Sequence, residues 1–184
     1  MALVSTAAEL LLALAVASPG SVIELAPVHF GDVVIDGSRF AGTVTIRSAD
    51  AAAPATLATL QIKNSSHIAL EGVRVEHALA DGEPDWVAAV RIDKSDNISI
   101  TRSEISGSTD GNHTNDGQGL LVLDSSAVRL DGNTFHDLKT AVSVGRAEGV
   151  EILANTFRDL RSDGIDLANV RQVLEEGNTF TDIH

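Results

Sequence analysis

The residues best suited to chemistry are two cations and three polar or acidic side chains on short alternating segments. Gln61, Arg91 and Asp166 share one phase of a repeat, and Lys63 and Asp93 lie two residues after the first two. Lysine or arginine can neutralise a ligand carboxylate, and a base within about 3 Å can then remove a proton beside it. Asp93 or Asp166 could accept hydrogen bonds from hydroxyls or bind a cation. These five residues are our predicted binding site.

A solvated sheet face explains the same residues without a ligand. Lys63 and Asp93 would then form a surface ion pair worth up to about 1 kcal/mol. Leu121, at the phase of Gln61 and Arg91, interrupts the polar face. Both interpretations stay open from these residues.

A second candidate site is a loop with four oxygen-bearing side chains in seven residues: Asp110, Asn112, Asn115 and Asp116. Calcium prefers six to eight oxygen ligands, so this loop could supply half of a coordination shell. The spacing departs from that of the standard calcium-binding loop. A turn rich in Gly and Asn explains the loop without a metal. Calcium is therefore one of two interpretations.

Composition excludes several classes of partner and site. The 184 residues include 26 acidic and 13 basic side chains, for a net charge of −13. This charge repels phosphate backbones and anionic membranes, so we predict no nucleic acid or membrane partner. Disulfides and thiolate metal sites are excluded because cysteine is absent. The longest apolar run, residues 10–17, is too short to span a bilayer.

An internal repeat must position these candidates. Asn-Thr-Phe recurs at spacings of 22 and 23 residues, ending at Phe135, Phe157 and Phe180. Upstream, Val75 and Ile105 occupy the Phe position, and the step lengthens to 30 residues. The extra residues form two insertions, 78–86 and 107–116, at one phase of the repeat. We therefore expect both insertions on one side of the molecule, beside the candidate binding residues.

Apolar residues in each repeat come in alternating pairs, which predicts short half-buried strands. Val142 and Val144 form one pair, and Val150 and Ile152 form the next. Such strands bury their inner faces only when repeats stack. A leucine-rich repeat also fits the second pair, but its remainder should be helical or a loop. The second alternating pair favours an all-β fold, a right-handed parallel β-helix, with the phenylalanines stacked inside and the asparagines in a ladder.

The first 30 residues predict a capping unit. Residues 6–9, Thr-Ala-Ala-Glu, have the spacing of a helix N-terminal capping box, and Pro19-Gly20 ends the helix. A signal peptide is the alternative for the apolar run, but a basic start is missing. We predict a short capping α-helix and first strand over residues 1–30, and β-helix coils over residues 31–184.

The last repeat contains a polar residue at an inward position. Glu175 lies where Ile152 and Leu130 point inward, and a lone buried carboxylate costs several kcal/mol. We expect a backbone slip that turns Leu174 inward, or a frayed coil. We also expect coils beyond His184, or self-association through the uncapped final coil.

Three segments carry a family resemblance. Residues 7–25 resemble the N-terminal capping helix and first strand of the pectin-lyase-like superfamily of right-handed parallel β-helix proteins. Residues 36–38, 44–48 and 62–68 are most similar to polysaccharide lyase family six, which includes alginate lyases and chondroitinase B. The family's calcium-binding and catalytic residues lie on later coils and have no match here, so the resemblance assigns no site residue.

The resemblance implies a secreted β-helix domain associated with acidic polysaccharides, as a binding domain or as part of a lyase- or epimerase-like enzyme. A non-catalytic structural segment of a larger secreted or surface protein is the alternative. We expect an extracellular or cell-surface location without a clear cleavable signal peptide. An acidic polysaccharide is the expected partner, and Ca²⁺ is a candidate cofactor.

Overall fold

A computed structural model describes residues 2–184, which form one helix and twenty short strands. The helix is α1 (Ala7–Ala15), and a 3₁₀ turn covers His113–Asn115. In chain order the strands are β1 (Ala2–Val4), β2 (Val22–Leu25), β3 (Asp32–Asp36), β4 (Arg39–Ser48), β5 (Thr56–Leu57), β6 (Thr59–Lys63), β7 (Ser66–Glu71), β8 (Arg74–Glu76), β9 (Ala88–Asp93), β10 (Asp96–Thr101), β11 (Glu104–Ser106), β12 (Gln118–Leu123), β13 (Ser126–Asp131), β14 (Thr134–Leu138), β15 (Thr140–Gly145), β16 (Glu148–Leu153), β17 (Thr156–Leu160), β18 (Ile165–Ala168), β19 (Arg171–Glu176) and β20 (Thr179–Ile183).

The strands form three parallel sheets that enclose a single core, which is the predicted β-helix. The first sheet has the order β1-β2-β4-β7-β10-β13-β16-β19. The second has the order β5-β8-β11-β14-β17-β20, and the third has the order β3-β6-β9-β12-β15-β18. From β3 onward, each coil contributes one strand to each sheet, so the leucine-rich-repeat alternative is wrong. No helix among residues 2–184 is long and apolar enough to cross a membrane.

The repeat spacing sets the register between coils. Ile98 pairs with Ile68 and with Val128, which confirms the 30-residue step. Val150 pairs with Val128 and Val173 at the shorter steps. Because strand side chains alternate, matched inward positions stack into a continuous apolar core.

The predicted phenylalanine stack and asparagine ladder are both present. Phe157 lies between Phe135 and Phe180, with ring centroids 5.2 Å and 4.8 Å away. At the corner between the first and second sheets, Asn155 Oδ1 accepts a hydrogen bond from the Asn133 backbone N–H at 2.9 Å. Asn178 Oδ1 accepts from the Asn155 backbone N–H at 2.9 Å. By accepting these hydrogen bonds, the asparagine side chains pair buried backbone N–H groups that the turns would otherwise leave without a partner.

A serine ladder, which the sequence did not predict, holds the corner between the third and first sheets. Ser95 Oγ accepts from the Ser65 backbone N–H at 3.2 Å, and Ser125 Oγ accepts from the Ser95 N–H at 3.1 Å. Each hydroxyl also donates to a carbonyl two residues earlier in its own coil. Two ladders therefore lock successive coils together at two corners.

Helix α1 covers the first coil, as predicted. Thr6 is its N-cap and accepts a hydrogen bond from the Glu9 backbone N–H at 3.1 Å. The Glu9 carboxylate in turn accepts from the backbone N–H of Ser5 at 2.8 Å and interacts with that of Thr6. Leu10 and Leu14 are buried in the core. Strand β1, which precedes the helix, was not predicted.

The predicted backbone slip in the last repeat is wrong. Glu175 pairs with Ile152 and Leu174 pairs with Glu151, so the register continues unchanged. Leu174 stays on the outward face and is 47% exposed. The Glu175 carboxylate is also exposed. Phe180 is 50% exposed on the same coil. Self-association through this end stays a prediction.

Removing the central ring of the stack should be costly. Phe157→Ala should lower the free energy of unfolding by about 3–5 kcal/mol, because the fully buried ring leaves a cavity between Phe135 and Phe180. Thr156→Ala, one residue earlier on the outward face, should cost under about 0.5 kcal/mol. Urea denaturation measures both. Equal losses would contradict the inward and outward assignment.

Removing a rung of the asparagine ladder should also be costly. Asn155→Ala leaves the Asn133 N–H and the Leu130 carbonyl without their buried partner. We expect a loss of about 2–4 kcal/mol in unfolding free energy, because each unsatisfied buried group costs about 1–3 kcal/mol. Asn178→Ala is the matched control on the exposed last coil, where water can replace the amide. A loss of less than about 0.5 kcal/mol at Asn155 would contradict the ladder's role.

Candidate functional site

The third sheet carries four of the predicted binding residues side by side on its outward face. Gln61 is in register with Arg91, and Lys63 with Asp93, across β6 and β9. Neighbouring strands lie about 4.8 Å apart, so these four side chains form one group, the basic cluster. The alternation of the two strands places them outward because Leu60, Ile62, Val90 and Ile92 fill the core.

The ion pairs of the basic cluster differ from the predicted surface pair. Lys63 Nζ lies 3.8 Å from Asp36 Oδ2 on the preceding coil, longer than a hydrogen bond. Arg91 Nη2 donates to Asp93 Oδ2 on its own strand at 3.0 Å. Asp93 Oδ1 is buried with no hydrogen-bond partner among the residues described. The basic cluster therefore contains a loosely held ammonium, that of Lys63, and an unpaired acceptor oxygen, Asp93 Oδ1.

Asp166 lies on the same outward row but outside the basic cluster. Arg91 pairs with Leu121, Leu121 with Ser143, and Ser143 with Asp166. Three strand spacings separate Arg91 from Asp166, or about 14 Å. Asp166 could therefore contact the same ligand only if that ligand is extended.

Lys94 adds a cation that the sequence did not single out. It follows Asp93 at the corner after β9, in a left-handed conformation with φ of 49°. Arg146 occupies the same corner on a later coil, with φ of 51°. Lys94 is exposed, so its ammonium lies at the margin of the basic cluster. Lys94 could have been recognised from the sequence, because it directly follows the outward residue Asp93 at the end of a repeat strand.

The two insertions lie on one side and pair with each other, as their common phase predicted. Ala78 and Asp116 form an antiparallel bridge, and the Leu79 N–H donates to the Asn115 carbonyl at 3.0 Å. A Cβ at Gly117 would lie 2.9 Å from the Val87 carbonyl oxygen, so this position requires glycine. The paired insertions form a wall where β9 and β12 begin.

Two cations from later coils anchor this wall. Lys139 Nζ donates to Asp85 Oδ2 at 2.5 Å. Arg161 Nη2 donates to the Asp116 carbonyl at 2.9 Å and lies 4.0 Å from Asp85 Oδ2. Hydrogen bonding to Lys139 holds the pKa of Asp85 below its ordinary value despite some desolvation. Lys139 and Arg161 therefore stabilise the wall itself.

The side-chain oxygens of Asp110 and Asn112 in the predicted calcium loop are committed to the turn, whereas Asn115 Oδ1 is buried without a hydrogen-bond partner among the described residues. Asp110 Oδ1 accepts from the Asn112 N–H at 2.7 Å, and Asp110 Oδ2 accepts from Asn115 Nδ2 at 3.2 Å. Asn112 Oδ1 accepts from the N–H and hydroxyl of Thr114, and Asp116 is buried. This arrangement does not present a converging set of ligands. Calcium at this loop stays a prediction.

A histidine cluster on the outward face of the second sheet was not predicted. His136 is buried, with Nε2 2.9 Å from Glu104 Oε1 and Nδ1 2.5 Å from Asp137 Oδ2. Arg74 Nε donates to Glu104 Oε2 at 2.9 Å. Burial acts to raise the pKa of Glu104, but the hydrogen bonds from His136 and Arg74 outweigh it and hold that pKa below its ordinary value. The charges of this cluster satisfy one another across adjacent coils.

The larger clefts lie at corners rather than on the third sheet. A cleft of about 590 Å³ between the first and second sheets is lined by Arg74, Arg102 and Glu104. A cleft of about 420 Å³ lies beside Asp124 and Arg146. Each of these arginines has a hydrogen-bonded carboxylate partner. The basic cluster is the better candidate because Lys63 and Lys94 are less constrained.

Comparison with known proteins agrees with this architecture. A family model described as a right-handed β-helix region matches residues 58–184. No curated protein matches the sequence. The fold is similar to that of an alginate lyase from Paenibacillus sp. str. FPU-7, with a TM-score of 0.73 and 18% identity over 98% of this chain and 67% of that one. It is also similar to a putative glycosyl hydrolase from Parabacteroides merdae, with a TM-score of 0.59 and 10% identity over 85% of this chain and 82% of that one. At these identities the similarity shows the fold alone.

The lowered pKa of Glu104 predicts a specific response to acid. A carboxylate whose pKa is lower in the folded state stabilises the fold above its unfolded pKa, about 4.3 for glutamate, and this stabilisation is lost as pH falls through the folded pKa. The stability advantage of the wild-type protein over Glu104→Gln should therefore be largest at neutral pH and shrink below pH of about 4. Urea denaturation across pH measures it, with Glu176→Gln on the exposed last coil as the control. An advantage that grows in acid would contradict the assigned contacts.

Proposed function

This chain belongs to the right-handed β-helix family, and we propose that it binds an acidic polysaccharide along the outward face of its third sheet. The basic cluster is the observation that carries the proposal. Lys63 and Arg91 lie on neighbouring strands with single, exchangeable acidic partners. The two structural neighbours, described as an alginate lyase and a putative glycosyl hydrolase, support a polysaccharide as the partner.

The shape of the third sheet suits an extended polymer. Its six strands present parallel outward rows with a spacing of about 4.8 Å, close to the length of one sugar unit. The paired insertions border one side of this surface. Trp86, the only tryptophan of the chain, is exposed two residues before β9, where its indole could pack against a sugar ring.

The charge of the protein restricts how such a polymer can bind. A net charge of −13 repels a polyanion at long range. At about 0.1 M salt this repulsion is screened beyond about 10 Å, so contact depends on local cations. Lys63, Arg91 and Lys94 supply three cations within two adjacent coils. Binding should therefore be modest, local and sensitive to salt.

A lyase- or epimerase-like reaction is the finer form of this proposal. Removing the proton beside a uronate carboxylate requires a cation on that carboxylate and a base within about 3 Å of the proton. Arg91 could neutralise the carboxylate, and Asp93 could act as the base. A non-catalytic structural segment remains the alternative, favoured by the ion pairs that already engage both Lys63 and Arg91.

The proposal also includes a cellular location for the protein and a role for calcium. We infer an extracellular or cell-surface location, because acidic structural polysaccharides occur there. Calcium could bridge an acidic polymer to an acidic protein. Adding calcium should then strengthen binding.

The basic cluster can be tested by removing its two paired cations. The double variant Lys63→Ala, Arg91→Ala should bind an acidic polysaccharide about tenfold more weakly, because both direct charge contacts are lost. Wild-type binding should itself weaken as NaCl rises from about 50 to about 300 mM. Isothermal titration calorimetry measures both effects. A lyase would also release unsaturated products that absorb in the ultraviolet, and the double variant should not.

The matched control is Arg39→Ala, Arg102→Ala, which removes the same charge from other faces of the β-helix. Both arginines have an acidic partner at the surface. This control should leave binding unchanged. Equal losses in the two double variants would show a non-specific charge effect. Wild-type protein that neither binds nor cleaves would favour the structural alternative.

A further inference from the structure

Two cations on later coils converge on a single carboxylate of the first insertion. Lys139 directly follows β14 and Arg161 directly follows β17, so they occupy matching corners of adjacent coils. Asp85 Oδ2 lies 2.5 Å from Lys139 Nζ and 4.0 Å from Arg161 Nη2. Among the described residues, Asp85 is the one acidic side chain within 4.0 Å of either cation. Two positive charges therefore share one carboxylate.

The Arg161 guanidinium has donor groups that its contacts leave unused. Its Nη2 donates to the Asp116 carbonyl at 2.9 Å, and its distance of 4.0 Å from Asp85 Oδ2 is too long for a hydrogen bond. Arg161 Nε is buried and has no hydrogen-bond partner among the residues described. A guanidinium binds a carboxylate most strongly through two parallel N–H donors. Asp85 makes no such contact, so the two cations can accommodate a better placed carboxylate.

The Asp85 side chain can leave this position without detaching the first insertion. It is 46% exposed, so a ligand can reach the ion pair from solvent. The insertion is also held by backbone hydrogen bonds, from the Leu79 N–H to the Asn115 carbonyl and from the Gln118 N–H to the Val87 carbonyl. Neither bond involves the Asp85 carboxylate. Exchanging Asp85 for another carboxylate therefore preserves the wall.

The two cations also border the face on which we propose that the polysaccharide binds. Lys139 directly precedes β15, and β15 lies two strands after β9 in the third sheet. Two strand spacings amount to about 10 Å. An extended polymer that is held at the basic cluster can therefore reach Lys139 and Arg161 with a later sugar.

We infer, resting on the proposed function, that Lys139 and Arg161 form a second carboxylate subsite, which Asp85 occupies until a uronate of the bound polymer displaces it. Asp85 is then an intramolecular competitor of the ligand. Because it is tethered beside the cations, its effective concentration is on the order of millimolar. A free uronate monosaccharide competes poorly with it. A uronate on a polymer already held at the basic cluster is tethered as well, and so competes effectively.

Removing the competitor tests this inference. Asp85→Ala should bind alginate about tenfold more tightly than the wild-type protein in isothermal titration calorimetry, because the polymer no longer has to displace a carboxylate. Asp85→Asn, which keeps the shape of the side chain, should change the affinity in the same direction. Adding Lys139→Ala to Asp85→Ala should cancel the gain. Circular dichroism checks that each variant is folded.

The matched control is Asp81→Ala, which removes an exposed acid from the same insertion. It changes the net charge by the same amount and should leave the affinity unchanged. An equal gain in this control, no gain in Asp85→Ala, or a gain that persists without Lys139 would overturn the inference and leave the proposed function standing. Binding of alginate by Asp85→Ala alone would support the subsite and overturn the proposed function of the wild-type protein. Failure of both proteins to bind would overturn both.

Discussion

Hydrogen bonding between stacked coils is the constraint on which every other feature depends. Parallel strands about 4.8 Å apart bring residues 22 to 30 positions apart in sequence into direct contact. The side chain at an inward position of one coil therefore restricts which side chain can fill the same position of the next coil. The phenylalanine stack and the asparagine ladder repeat because each member has a matching partner above and below. A solenoid of this kind gains stability from neighbouring coils rather than from a compact centre.

The same constraint creates the candidate site. Outward residues of successive coils line up in rows whether or not they interact favourably. Gln61, Lys63, Arg91 and Asp93 meet because two coils share a register. The longer coils also extend the paired insertions beside those rows, so the face acquires a border. The two ends of these rows differ because only the first coils carry the basic cluster. The outward face of the third sheet is therefore asymmetric along the β-helix axis.

The repeat made the inward residues predictable, and the paired outward positions followed from alternation. Ion-pair partners did not follow, because a long side chain can reach along its strand or across to a neighbouring coil. Arg91 thus pairs with Asp93 on its own strand, and Lys63 approaches Asp36 rather than Asp93. The burial of His136 was missed because its partner Glu104 lies one coil earlier, at a different strand position. Leu174 was misassigned because a carboxylate at an inward position was taken to be buried, whereas the final coil exposes it.

The location of the ligand on the third sheet is the central claim, and chemical-shift mapping tests it most directly. Isotope-labelled protein would be titrated with a uronate-containing oligosaccharide while its backbone amide signals are followed. The account predicts saturable shifts concentrated at Gln61, Arg91 and Lys94, with few on the other two sheets. Shifts centred on Arg74 and Arg102, in the cleft between the first and second sheets, would contradict it.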